Sequence, residues 1–302
     1  MNYVKYTLAG IIAVPTTVVA LNKIYTYVSH SPPALPKNKQ PSVQIFNKNS
    51  RQDPKLIQEL IDCMAVSFCG TKDKEPEQFM NWALGTSLSI SPEAMEYNYN
   101  YEANLTKRLL VLRWTMSYLT HELLLKGNGS ILYIRTPDGN IGAASVIQYE
   151  NTTRSFLTKC NDAVTKLLVL VRIGLPPWGH SSTNDPLPVG LELRLDKGGA
   201  FLKRFHHHWT EGLHVYTYIM ATHPNCQGRG YCSKIMRTTV ALGEEQQLDV
   251  YLETGGVRNQ TVYARFGYDL VEEKELILEN DSEPNLTYSA MLKKYRHEMN
   301  KL

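Results

Sequence analysis

The chain of 302 residues lacks an uncharged apolar run of the roughly twenty residues that a membrane-crossing helix normally needs. Its best candidate, Thr7–Leu21, is fifteen residues long. Cysteine is scarce: the five residues (63, 69, 160, 226 and 232) are odd in number and show no framework spacing. That excludes a disulfide-stapled secreted scaffold and points to a reducing compartment. There is no C-x-x-C pair and no H-E-x-x-H, so no common zinc signature is present. Neither the dinucleotide G-x-G-x-x-G nor the phosphate-binding G-x-x-x-x-G-K-[ST] occurs, and no internal repeat suggests a solenoid. A net charge of only +3 gives no basic excess for bulk nucleic-acid binding.

One absence is local. Residues 1–52 contain no Asp or Glu and six basic residues, while the rest of the chain holds 26 basic against 29 acidic residues. The N-terminus therefore reads as a separate module. Snorkelling of Lys23 extends its apolar run to Tyr6–Val28, long enough to span a bilayer. A signal anchor over residues 1–28 is the preferred reading; a cleaved signal peptide and a mitochondrial leader or surface helix are the alternatives. More Lys follows the segment than precedes it, which places the remainder of a single-pass membrane protein on the cytosolic side. The proline-rich stretch 29–42 is a semi-rigid linker.

What is present fills a single domain over 43–302, large enough for a full hydrophobic core. Val43–Phe46 reads as a strand and Asp53-Pro54 as a helix start, opening Lys55–Phe68. Glu75–Leu84 is a second helix whose Phe79 and Trp82 read as core. The stretch Ser91–Glu102 is tyrosine-rich and unassigned. Leu105–Lys126 is a long helix, and Ser130–Arg135 with Ile141–Tyr149 form a hairpin around Thr136-Pro-Asp-Gly-Asn140. An insertion, 150–212, contains helical Phe156–Ile173, a loop at Gly174–Pro188 and a helix around Lys197–Trp209. Beyond it the pattern alternates: strand 213–222, helix 229–243, strand 248–254, helix 258–265, strands 268–275 and 286–293. Such alternation predicts an α/β or α+β layered domain with helices flanking a mixed sheet. His206-His207-His208 reads as a solvated helix end, since consecutive helical side chains point about 100° apart and cannot converge on one ion.

The most informative stretch is Tyr218–Arg237. Pro224 cannot donate to a sheet ladder, so a strand stops at His223. Gly228 and Gly230 allow a sharp bend and close approach to a ligand. A helix N-terminus follows, and together the three make a cradle for a phosphate or pyrophosphate. The segment Pro224-x-x-Gln227-Gly228-Arg229-Gly230-x-Cys232 resembles the acetyl-CoA loop of the GCN5-related N-acetyltransferases (GNAT), Gln/Arg-x-x-Gly-x-Gly/Ala. Downstream, Asp249–Thr254 and Arg258–Tyr268 are similar to that family's fifth strand and its Asn-x-x-x-Tyr-x-x-x-Gly-Phe helix. The likeness covers residues 205–293 well and 43–150 loosely. Cys232 departs from it, standing where the family prefers Gly or Ala, with a β-carbon and sulfur beside the expected pyrophosphate.

The resemblance implies a mostly antiparallel GNAT sheet and acetyl-CoA as co-substrate, with no metal. It implies a cradle of Gln227, Gly228, Arg229, Gly230, Tyr231, Cys232 and Ser233, and a pantetheine arm paired with the backbone of Met220 and Thr222. Tyr263 matches the tyrosine that protonates the departing thiolate, and Asn259 the residue that contacts the CoA arm or caps the helix. Two residues compete as general base: Glu253 near the end of the fifth strand, and His214 at the start of the fourth. The expected activity is transfer of an acetyl group to an amine, a small molecule in preference to a protein tail. The alternative is a non-catalytic acyl-CoA-binding or scaffold protein with the same fold.

Overall fold

The computed structural model describes residues 42–50, 52–71, 76–85, 101–151, 156–177, 190–277 and 285–295, with isolated positions 36, 40, 88, 90 and 187. The proposed anchor, nearly all of the linker and the tyrosine-rich 91–100 lie outside them. Among the described residues no helix is long and apolar enough to cross a membrane.

The elements run β1 (Gln44–Phe46), α1 (Pro54–Cys69), α2 (Gln78–Leu84), α3 (Tyr101–Lys126), β2 (Gly129–Arg135), β3 (Ile141–Asn151), α4 (Phe156–Ile173), α5 (Leu191–Trp209), β4 (Leu213–Thr222), α6 (Tyr231–Gln246), β5 (Val250–Thr254), α7 (Val257–Ala264), β6 (Asp269–Leu276) and β7 (Leu286–Lys293). The described strands form one seven-stranded sheet in the order β1-β2-β3-β4-β5-β7-β6. Every neighbouring pair is antiparallel except β4 and β5, which are parallel. The expected mixed, mostly antiparallel sheet flanked by helices is what forms.

Local chemistry sets the helix ends. Asp53 accepts from the Lys55 N–H and opens α1 with Pro54 in its first turn. The second helix starts at Gln78 and not at Glu75, because Glu77 is its cap: the carboxylate accepts from the N–H groups of Phe79 and Met80. The insertion helix α5 begins at Leu191, six residues before the expected Lys197. Gly190, in the left-handed region at φ 88°, caps it, and Gly198-Gly199 is tolerated inside.

The sheet carries a helical layer on each face. Helices α1 and α3 cover β2–β4 through Leu60, Met64, Leu112, Ile131 and Val146. Each such fully buried aliphatic side chain contributes about 1.5–3 kcal/mol relative to exposure. Farther along, α2 and α5 cover β5 and β7 through Trp82, Phe201, Phe205, Tyr251 and Leu292. Helix α6 packs on the opposite face through Ile235, Met236 and Leu242. Arg108 of α3 is fully buried and donates to the carbonyls of Cys69 and Leu88 and to the Asn81 amide oxygen. It satisfies the end of α1 and locks three helices together above the sheet. Of the insertion, α4 packs on α3 and α5 on α2 and the β5–β7 edge.

Candidate active site

Two strands that begin as partners part within the sheet. β4 and β5 pair only at Val215–Val250 and Tyr216–Tyr251, although β4 continues to Thr222 and β5 to Thr254. The break coincides with a bulge. Val146 faces Ile219 and Ile147 faces Thr217, so Tyr218 has no partner on β3. A bulge bends its strand and shifts the alternation of backbone groups by one. Before it, the Val215 N–H points to β5 and donates to the Asp249 carbonyl; after it, the His223 N–H points to β3 and donates to Gly142. Alternation then turns the peptide groups of Met220 and Thr222 toward the gap. Ser145 steadies the bend from β3, its hydroxyl donating to the Ile219 carbonyl at 2.7 Å.

The gap leads to the glycine turn. After β4, a single 3-10 turn at Pro224–Cys226 carries the chain into Gln227. Gly228 (φ 78°) and Gly230 (φ 76°) adopt backbone conformations that side chains disfavour. Nothing lies within 4 Å of where their β-carbons would be. Gly230 caps α6 with no side-chain hydrogen bond, whereas α1 and α2 are capped by carboxylates. The first intrahelical donor of α6 is Lys234, to Gly230. The N–H groups of Tyr231, Cys232 and Ser233 thus sit at an uncapped positive helix end with open space in front of it, a fit for an anionic diphosphate. Cys232 packs against the apolar cluster of Val215, Met236, Val250 and Leu252 beneath the helix. Burial pushes its thiol up to about 11, so its sulfur serves as core.

Glu253 lies on the freed arm of β5. Its Oε2 accepts from the Tyr216 hydroxyl at 2.5 Å, and its buried Oε1 has no hydrogen-bond partner. Burial raises the carboxyl to about 8; the Tyr216 and Tyr251 hydroxyls pull it back, the latter without hydrogen-bond geometry. A carboxylic acid tuned to neutrality with one oxygen uncommitted can exchange a proton at physiological pH.

His214 sits at the closed end of the fork and is 1% exposed. Its Nδ1 lies 3.1 Å from the Gly212 carbonyl and its Nε2 lies 2.6 Å from Nε2 of His206, so both ring nitrogens are engaged. The reading of the His triplet as a solvated helix end is corrected here for His206. It is buried among Tyr216 and Tyr251, because α5 turns this position, with Phe201 and Phe205, onto the sheet. Among the described residues no group of three potential ligands could hold a metal ion.

Tyr263 of α7 packs beside Tyr268, Cys232 and Phe266. Burial raises its phenol, with Cys232, Tyr268 and Glu77 adding to the rise. Asn259, one turn earlier, is exposed and donates to the Gly255 carbonyl at 3.1 Å, tying α7 to the end of β5. Gly255 is required by close packing, since a β-carbon there would collide with the Gln78 side chain. Helix α2 therefore begins directly over the end of β5. Its cap, Glu77, accepts from the Tyr288 hydroxyl at 2.9 Å, and burial raises the Glu77 carboxyl. Sequence reasoning missed Glu77, Tyr216, Tyr218, Tyr251 and Tyr288. The first is hidden as a cap; Tyr216 and Tyr218 were visible as alternate positions on one strand face.

A family model described as the acetyltransferase (GNAT) family matches residues 198–268. No curated protein matches the chain. Among solved structures, the C-terminal condensation domain of Ebony in complex with beta-alanyl-dopamine aligns with a TM-score of 0.50 at 11% identity, over 83% of this chain and 98% of that one. A Corynebacterium glutamicum structure described as histone acetyltransferase HPA2 and related acetyltransferase gives 0.48 at 15%, over 85% and 99%. Arylalkylamine N-acetyltransferase 2 from Aedes aegypti gives 0.44 at 12%, over 84% and 99%. At 11% identity the likeness to the Ebony domain is one of fold alone. The chain carries a GNAT-family domain, with residues 198–268 as its matched core.

Proposed function

We propose that this chain is an acetyl-CoA-dependent N-acetyltransferase acting by direct attack of an amine on the thioester. The observation that carries the reading is the fork itself: β4 and β5 separate after Tyr216–Tyr251, the gap runs to an uncapped helix N-terminus, and Glu253 stands on its wall. Acetyl-CoA supplies the activated acetyl group as co-substrate. The turn Gln227 to Ser233 holds its diphosphate through the backbone N–H groups of Gly228 and of Gly230 to Ser233, those of Gln227 and Arg229 donating within the turn, with the Arg229 side chain adding charge. The peptide groups of Met220 and Thr222 hydrogen-bond the pantetheine arm as an added strand would, which aims the thioester at Glu253.

In this reading Glu253 takes the proton from the incoming ammonium, directly or through one water. The new C–N bond forms as the C–S bond breaks, and Tyr263 protonates the departing sulfur. Burial raises the Tyr263 phenol and the Cys232 thiol beside it, so the phenol keeps its proton until the thiolate departs. Both ring nitrogens of His214 are engaged, which favours Glu253 as base. Asn259 supports the site by fastening α7 to β5.

The acceptor side favours a small amine. Tyr216, Tyr218, Tyr251 and Tyr288 gather around Glu253, within electrostatic reach of it, and aromatic faces with a carboxylate suit an ammonium group. The N-terminal 1–28 segment, linked by 29–42, anchors this domain on the cytosolic face of a membrane; resistance of the full chain to alkaline extraction tests that part. The activity is tested by incubating the protein with acetyl-CoA and a panel of small primary amines, with the product read by mass spectrometry. An acetylated amine that vanishes with Tyr263→Phe supports the enzyme. Acetyl-CoA binding by a folded protein that acetylates nothing leaves the non-catalytic acyl-CoA-binding reading.

A further inference from the structure

The buried imidazole pair lies outside the chemistry assigned above, and its position is unusual. His206 of α5 stacks on Tyr251 at 4.9 Å with an interplanar angle of 9°. It also contacts the Tyr216 ring at 4.2 Å and 35°. Those tyrosines are the last paired register of β4 and β5. One imidazole therefore sits on both prongs at the point where the fork opens. Its own orientation is fixed by a proton count. The Gly212 carbonyl can only accept, so His214 Nδ1 carries a hydrogen. A neutral His214 then offers a bare Nε2, and His206 Nε2–H must donate to it across 2.6 Å. Burial lowers the His214 imidazole, which keeps it neutral.

From this geometry, and resting on the role given to Glu253, we infer that His206 is a positioning residue for the base. Locked by His214, it holds the Tyr216 ring against Tyr251, so that the Tyr216 hydroxyl stays on Glu253 Oε2. The effect reaches the site through three contacts: imidazole to imidazole, imidazole to phenol ring, phenol hydroxyl to carboxylate. It also gives the insertion a task, since α5 brings a side chain that the β4–β5 pair lacks. The titratable groups facing the Glu253 carboxylate are Tyr216 and Tyr218 from β4, Tyr251 on β5 and Tyr288 on β7. Glu77, at the start of α2, stands behind Tyr288. None of these is a cation, so the Tyr216 hydrogen bond is the main interaction holding the Glu253 carboxyl down.

The test follows the Glu253 carboxyl directly, by NMR titration of protein labelled with carbon-13 at glutamate, using Glu253→Gln to identify the signal. His206→Ala removes the brace and Tyr216→Phe removes the hydrogen bond. Each is expected to move the Glu253 midpoint upward by one unit or more, and the double variant no farther than either alone. His206→Phe, which keeps a ring on both tyrosines, is expected to bring the midpoint back toward wild type. In turnover, His206→Ala lowers kcat about tenfold at neutral pH and leaves KM for acetyl-CoA unchanged. A Glu253 midpoint that stays put in folded His206→Ala, or shifts that add in the double variant, would overturn the proposal. If no variant and no wild-type protein acetylates any amine, the catalytic reading fails, while the titration still decides whether His206 positions Glu253.

Discussion

The Tyr216 hydroxyl donates to Glu253 at 2.5 Å, on the strand register immediately before β4 and β5 part. The other carboxylate oxygen is buried and unpartnered. Burial of this carboxyl makes the stability of the protein depend on pH in a definite direction. Burial holds the Glu253 carboxyl at about 8, above its ordinary 4.5, so folding favours the protonated acid. Its stabilising contribution is complete below the unfolded value, declines as pH rises, and is gone above the folded value. Glu253→Gln is expected to gain melting temperature relative to wild type between pH 5 and pH 9. Parallel melting curves across that window would show that the carboxyl titrates normally.

Tyr263 is expected to act on chemistry and not on binding. Tyr263→Phe removes the phenolic proton and keeps the ring against Tyr268 and Phe266. Turnover should fall about 100-fold, as for loss of a general acid, while the acetyl-CoA concentration for half-maximal stabilisation holds. A matching loss of affinity would make Tyr263 a binding residue.

The cradle depends on the glycine at the helix cap. Gly230 stands at φ 76° with open space in front. Gly230→Ala therefore meets no clash but takes on left-handed backbone strain of about 1–2 kcal/mol. Chemical denaturation should show that loss. The thermal response to acetyl-CoA should shrink further, because the new methyl occupies the space in front of the cradle.

The bulge has its own test. Ser145 donates to the Ile219 carbonyl at 2.7 Å inside the sheet. Ser145→Ala leaves that acceptor without its donor, at a cost of about 1–3 kcal/mol. If the bulge is what turns Met220 and Thr222 outward, acetyl-CoA binding weakens along with stability. Lost stability with full binding would separate the two.

The parts of this site that were legible in the sequence are those dictated by neighbours in the chain. Pro224 ends a strand, two glycines make a turn, and apolar spacing makes α6, so the cradle can be read locally. The strand 213–222 is found with its observed limits for the same reason. Tyr218 as a bulge is a different matter, since it is defined by Val146 and Ile147 across the ladder. His206 was misread because three histidines resemble a polar helix end. It lies on the same helical stripe as Phe201 and Phe205, and the packing of that stripe on Tyr216 and Tyr251 is what buries it. Glu77 escaped notice because a capping carboxylate is an ordinary helix start until Tyr288, more than two hundred residues later, closes on it. Non-local pairing decides all three.

The most direct test of the central claim is the melting temperature of the 43–302 fragment with acetyl-CoA, CoA and dephospho-CoA. A ligand that binds only the folded state raises it by mass action, worth about 2.7 kcal/mol at one hundred times its Kd. A fork that ends at an open helix N-terminus predicts a clear rise with acetyl-CoA and CoA. No rise with any of the three, from a fragment shown to be folded, would mean that the gap between β4 and β5 is not a coenzyme site.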